Sequence, residues 1–168
     1  FVNNTYSIIS RNSDNVIVHK SRFLNCSSAI YSKNTTLEIR YGVFNNSYMR
    51  LYNTTVLLAN STINIITPNE KNLIAVYTDH ETRLMILNLS VNLNADSQQV
   101  CVFEIDGSLI NISNLHVNAT ASNTSEVFIL YIVNTKSPSL NNINAWGHSF
   151  NGSTLAIVNA SSVQGSLN

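Results

Sequence analysis

Residues 16–34, VIVHKSRFLNCSSAIYSKN, run directly into residues 35–53, TTLEIRYGVFNNSYMRLYN, and the two segments are variants of one pattern. Both set short β-branched and aromatic runs among Asn, Ser and Thr, and neither sustains a 3.6-residue apolar period. Val16 matches Leu37, Val18 matches Ile39 and Phe23 matches Phe44 at an offset of 21, whereas each segment is 19 residues long, so the register is approximate. Longer variants follow at 54–80, 81–107, 108–135 and 136–160. Each has a first strand, a polar turn and a second strand closing on a polar residue: Asp79, Asp106, Asn134 and Asn159. The run MILNLSVNLN (85–94) reads as one alternating strand. It places Met85, Leu87, Leu89, Val91 and Leu93 on one face, with Asn88, Ser90, Asn92 and Asn94 on the other.

Units of 19 to 28 residues, rich in β-branched residues and Asn and nearly free of Pro and charge, fit the coils of a parallel β-helix. A leucine-rich repeat has a similar period, but its LxxLxLxxN pattern and helix are missing. In a β-helix each coil lies on the last, so aliphatic side chains stack inside and Asn, Ser and Thr form ladders at the turns. Asn34 and Asn53, before TTLEI and TTVLL, are expected to make one such step.

The runs VIVHKSRFLNC, LEIRYGVFNN and LINISNLHVN resemble the right-handed parallel β-helix superfamily with the pectin-lyase-like fold, and the resemblance covers nearly the whole chain. It implies an all-β, right-handed parallel β-helix (solenoid) over residues 1–168, with about seven coils. The right hand follows from the resemblance and from the usual chirality of parallel crossovers. The motifs specify architecture well and activity poorly, since this fold hosts enzymes, adhesins and structural fibres.

Composition narrows the function. The 168 residues include 27 Asn, 22 Ser and 13 Thr, while charged residues make up 11% and the formal net charge is zero. Nucleic acid and anionic membrane both call for clustered Lys and Arg, which this chain does not have. It also has no apolar run long enough for a helical membrane span. Near-zero net charge favours association, so some other group is needed to hydrate the surface. Sequons Asn-X-Ser/Thr start at Asn3, Asn25, Asn34, Asn45, Asn53, Asn60, Asn88, Asn111, Asn118, Asn123, Asn151 and Asn159. Chance placement predicts roughly six, so these twelve are about a twofold excess. N-linked glycans would supply the hydration that charge does not, and they imply export to the extracellular space. Cys26 and Cys101 fit either a disulfide or two buried small side chains.

The ends of the sequence fit each other. VQGSLN (163–168) placed before FVNNTYSII (1–9) makes a coil of ordinary length, with Val163, Leu167 and Val2 in its first strand and Tyr6, Ile8 and Ile9 in its second. FVNN parallels FLNC (23–26) and FNNS (44–47). A solitary β-helix needs capped ends, and no cap is visible in the sequence. The expectation is therefore one period of a tandem or stacked array, in which identical copies meet head to tail and propagate as a filament. At ~4.8 Å between strands, the period advances roughly 34 Å.

Catalytic chemistry is poorly supported. A polysaccharide lyase or hydrolase on this fold arranges several carboxylates with Arg, Lys or His in a groove. The best constellation is Asp79 and His80 with Glu104 and Asp106 one coil on, which reads as a turn-capping ladder rather than a Ca²⁺ site or acid pair, since Asn134 and Asn159 follow at equivalent places. His19, His80, His116 and His148 show no metal-ligand spacing. Lys20, Arg22 and Arg40 form a small basic group, and Tyr41, Tyr48 and Tyr52 a possible sugar platform. No nucleophile motif, CxxC or phosphate loop occurs, and no catalytic residue, metal or cofactor is assigned. A structural fibre is the primary reading. A polysaccharide-binding adhesin is the alternative, and an enzyme is third.

Overall fold

The computed structural model describes residues 1–66, 73–79, 81–96, 99–123, 125–135 and 138–161. Among these there is no helix. The strands are β1 (Ile8–His19), β2 (Arg22–Leu24), β3 (Ile30–Arg40), β4 (Val43–Asn45), β5 (Met49–Tyr52), β6 (Thr55–Ile66), β7 (Leu73–Thr78), β8 (Arg83–Asp96), β9 (Gln99–Asp106), β10 (Leu109–Ser122), β11 (Glu126–Val133), β12 (Ser139–Ser149) and β13 (Thr154–Ser161). They form one 13-stranded sheet in which every pairing is parallel. The sheet curls 316° round an axis, which makes the molecule a parallel β-helix.

The long strands bend because single residues inside them adopt left-handed backbone. Fifteen described residues other than glycine have positive φ, all asparagine except Lys20 and Tyr41. Left-handed backbone costs an ordinary residue roughly 1–2 kcal/mol, and Asn tolerates it best after Gly because its short amide bonds locally. One such residue turns the chain sharply and resets which side chains point inward. The corners divide each coil into three faces. The first face holds the leading halves of β1 and β3, then β5, β7, β9, β11 and β13. The second holds the trailing halves of β1 and β3 and the leading halves of β6, β8, β10 and β12. The third holds β2, β4 and the trailing halves of β6, β8, β10 and β12.

The core is a set of axial columns. On the second face Leu37, Val56, Leu84 and Ile110 lie in register, as do Ile39, Leu58, Ile86, Ile112 and Leu140, and all are buried. On the third face Phe23, Phe44, Ile63, Val91 and Val117 continue one column. Phe1, Phe23 and Phe44 stack at 5.0 and 4.8 Å between ring centroids. Fully burying a side chain of this size stabilises the fold by roughly 1.5–3 kcal/mol, and the columns repeat that gain from coil to coil.

The matches of Val16 with Leu37, Val18 with Ile39 and Phe23 with Phe44 are in-register pairs. Their offset of 21 is a real coil length: a bulge between Ser13 and Val16 separates pairs 22 apart (Ile8 with Ile30) from these, and the next coil shortens to 19 (Ile30 with Met49). The first 19-residue unit therefore does not coincide with a coil. Two other expectations are corrected. In MILNLSVNLN, Met85 and Leu87 point outward and Ile86 inward, because Asn88 (φ 54°) is a corner; the expected alternation holds only from Leu89 onward. Asn159 lies opposite Tyr131 within the first face, not at the corner occupied by Asn134. Val163 and Leu167 lie outside the described residues. FVNN does repeat FLNC and FNNS in space: Val2 bridges Leu24, and Asn3, Asn25 and Asn46 share the left-handed corner.

Candidate functional surface

The outer surface is built on asparagine ladders at the three corners. At one corner Asn88 Nδ2 donates to Asn60 Oδ1 (3.0 Å), Asn114 to Asn88 (2.8 Å) and Asn142 to Asn114 (2.6 Å). At the next, Asn34 donates to Asn12 (2.9 Å) and Asn53 to Asn34 (3.1 Å), the expected step. At the third, Asn123 donates to Asp96 (2.6 Å) and Asn151 to Asn123 (3.1 Å). On the outward side of the third face Asn45, Asn64 and Asn92 make a further row, with Asn64 donating to Asn45 and Asn92 to Asn64. Much of the asparagine content is thus structural. Eight of the twelve sequons start at left-handed corner residues: Asn3, Asn25, Asn34, Asn53, Asn60, Asn88, Asn123 and Asn151.

The corners also explain many hydroxyl residues, but at a different position from the one a sequon uses. The residue just after a corner is repeatedly Ser or Thr, and its hydroxyl donates to the carbonyl two residues back. Thr35 bonds Lys33 (3.0 Å), Thr54 bonds Tyr52 (2.8 Å), Ser61 bonds Ala59 (2.8 Å) and Thr135 bonds Val133 (3.1 Å). These hydroxyl residues are buried. A sequon places its hydroxyl one residue further on. Thr36 and Thr55 are exposed, Thr62 is half-buried, and none of the three makes a side-chain hydrogen bond among the described residues. The same is true of Thr5, Ser27, Ser90, Ser113 and Thr120, which complete the sequons of Asn3, Asn25, Asn88, Asn111 and Asn118. Three sequons differ, because the fold uses their hydroxyls: Ser47 (Asn45) bonds the Asn45 carbonyl, Ser125 (Asn123) donates to Ser122, and Ser153 (Asn151) accepts from the Ser125 amide. The side chain of Asn159 lies outside the described residues.

Sequon asparagines also differ at the amide that would carry a sugar. Asn34, Asn53, Asn88, Asn123 and Asn151 use Nδ2 in a ladder. Asn111 and Asn118 are exposed on strands and make no side-chain hydrogen bond among the described residues. An amide NH₂ has two donors, so a glycosylated ladder asparagine keeps one hydrogen for its ladder bond.

The acidic constellation does not assemble as a reactive pair. Asp79 Oδ1 accepts from the Asn53 backbone amide (2.8 Å) and the Thr82 hydroxyl (3.0 Å), and Asp106 accepts from Asn134 Nδ2 (3.0 Å), so both cap corners. Glu104 sits between Tyr77 and Tyr131 in register; burial, then the Asp106 charge, raises its carboxyl above the ordinary range. Cys101 shares that outer face, and burial, then the Glu104 charge, pushes its thiol up to about 12, which suppresses thiolate chemistry. Cys26 is buried elsewhere, and the two thiols are free.

Among the described residues no three His, Cys, Asp or Glu side chains gather as a metal site. His19 packs edge-on against Tyr41, and His148 stacks on Phe150; His116 is exposed, and His80 lies outside the described residues. Arg40 is paired with Glu38, while Lys20 and Arg22 are exposed. Tyr41, Tyr48 and Tyr52 do not form a platform: Tyr41 is at a corner, Tyr48 is buried, and Tyr52 belongs to another row. That row was not legible in the sequence. Tyr6, Tyr31, Tyr52 and Tyr77 follow one another on the outside of the first face at 6.4, 5.5 and 5.6 Å, with the Arg11 guanidinium 5.3 Å from the Tyr31 ring centre. Only the coil register brings them together.

No family model, curated protein or solved structure matches this chain.

Proposed function

We propose that the chain is a structural segment of an extracellular, N-glycosylated filament, built by end-to-end stacking of β-helix coils of the right-handed pectin-lyase-like kind. Its partners are identical copies, joined in one chain or as separate subunits, and its only non-protein groups are covalent glycans. What carries the reading is the state of the outermost described coils. Phe1, Val2 and Asn3 repeat an interior coil in phase, with Phe1 stacked on Phe23 and half exposed on its other side. At the far end Ile143, Ala145, Leu155 and Ile157 pack on the core but remain partly open, and β12 and β13 each pair with a single axial neighbour among the described strands. A further coil would complete both the ladders and the columns. The glycan part rests on the eight sequon hydroxyls for which the fold has no use.

The test joins two copies of residues 1–168 in one chain. Stacked copies share an interface, so the tandem unfolds in one transition at a higher midpoint than the single copy, and stained particles are rods of twice the length. Two copies that melt independently at the single-copy midpoint would overturn the proposal. The tyrosine row favours one second reading, a polysaccharide-binding surface; retention on immobilised glycans that is lost in Tyr31→Ala/Tyr52→Ala would select it.

A further inference from the structure

The outside of the second face carries an apolar groove of about 420 Å³ that neither the ladders nor the stacking ends use. Its floor is Leu57, Met85 and Leu109; Met85 is 49% and Leu109 52% exposed. Its rim is polar, with Thr36, Thr55 and Arg83. Single exposed apolar residues are ordinary, but three on adjoining coils form a patch that needs a cover.

The cover is indicated by the groove's own wall. Leu57, Met85 and Asn111 lie in one register column, so Asn111 stands one coil beyond Met85 and two residues along β10 from Leu109. Asn111 points outward, since Ile110 and Ile112 on either side are buried. It opens the sequon Asn111-Ile112-Ser113, and its amide, unlike those in the ladders, makes no hydrogen bond among the described residues. A pyranose presents C–H faces and a belt of hydroxyls, which suits an apolar floor with a polar rim. We infer that the groove seats the first sugars of a glycan on Asn111, so that this glycan is packed against the protein while the one on Asn118 projects into water. The inference rests on the proposed glycan coat.

The experiment expresses the full chain in a host that N-glycosylates, maps occupancy by glycopeptide mass spectrometry, and follows endoglycosidase release at Asn111 and Asn118 under native conditions. Release at Asn111 is expected to be several-fold slower than at Asn118 in the native chain and equal to it after denaturation. Met85→Gln/Leu109→Gln should bring the native rates together; if the double variant does not fold, Met85→Gln alone, at an exposed position, should narrow the difference. Asn111→Gln should raise binding of a hydrophobic dye, and Asn118→Gln should not. Equal native release rates overturn the inference. A bare Asn111 beside an occupied Asn118 also overturns it and leaves the coat intact, whereas twelve bare sequons overturn both. Should Asn111 be bare and Met85→Gln abolish lateral pairing of chains, the groove is a contact between copies and the inference fails.

Discussion

At the scale of the residue, the fold depends on asparagine holding a backbone that other residues resist. Asn114 (φ 57°) isolates the effect, because it donates to Asn88, accepts from Asn142 and starts no sequon. Asn114→Ala should destabilise by about 2 kcal/mol, the sum of left-handed strain and a lost ladder bond. Asn114→Gly, which relieves the strain alone, should cost about 1 kcal/mol in a urea titration. The neighbouring threonines of TTVLL divide by role. Thr54→Val removes a buried bond and should cost about 1–2 kcal/mol while leaving an Asn-X-Thr sequon at Asn53. Thr55→Val should change stability by less than about 0.5 kcal/mol and abolish glycosylation at Asn53, read as one lost glycopeptide. A Thr55→Val chain with an unchanged glycan pattern in which other sequons are occupied would mean that Asn53 is unmodified.

At the scale of the element, rows of side chains rather than single strands set the chemistry. Glu104 lies in the row Tyr77, Glu104, Tyr131, and its folded-state carboxyl is raised from 4.5 by burial and by Asp106. A raised folded value means the native state holds that proton more tightly than the unfolded chain. The resulting stabilisation is complete below the unfolded value and lost as pH rises through the folded one. Glu104→Gln lacks this loss, so its urea midpoint should gain on the wild type as pH rises through that window and then stay level; a difference independent of pH would sink the assignment. Rows are also where reading the sequence succeeds or fails. Phe23 with Phe44 was legible because like residues repeat at one offset. The inward set of MILNLSVNLN was not, because a period-two count cannot see Asn88 reset the alternation between Ile86 and Leu89. The tyrosine row and the groove at Met85 were hidden for a related reason: coil spacings of 21, 19, 28 and 26 bring their members together, and no single period predicts those spacings.

At the scale of the whole molecule, stability is close to one-dimensional, since each coil touches only its neighbours. Native-state hydrogen exchange of the isolated chain should therefore be slowest in β6, β8 and β10, which pair on both sides, and should quicken toward β1 and β13. Uniform protection would imply a cooperative unit larger than the coil. In the tandem, strands next to the junction should gain protection and the outermost strands should not.

The change in coil length has a mechanical meaning. The third face grows from three residues in β4 to the eight positions beyond Asn88 in β8, and the first face from four in β5 to eight in β9, while the second keeps its width. The cross-section is thus narrow in the early coils and broad in the later ones, so the rod has a direction visible in its silhouette. Copies laid end to end would set a broad coil against a narrow one at each junction, which fixes which end meets which and gives the rod a notch once per copy. In projection that notch is a vernier, from which polarity and copy number can be counted along an unlabelled strand.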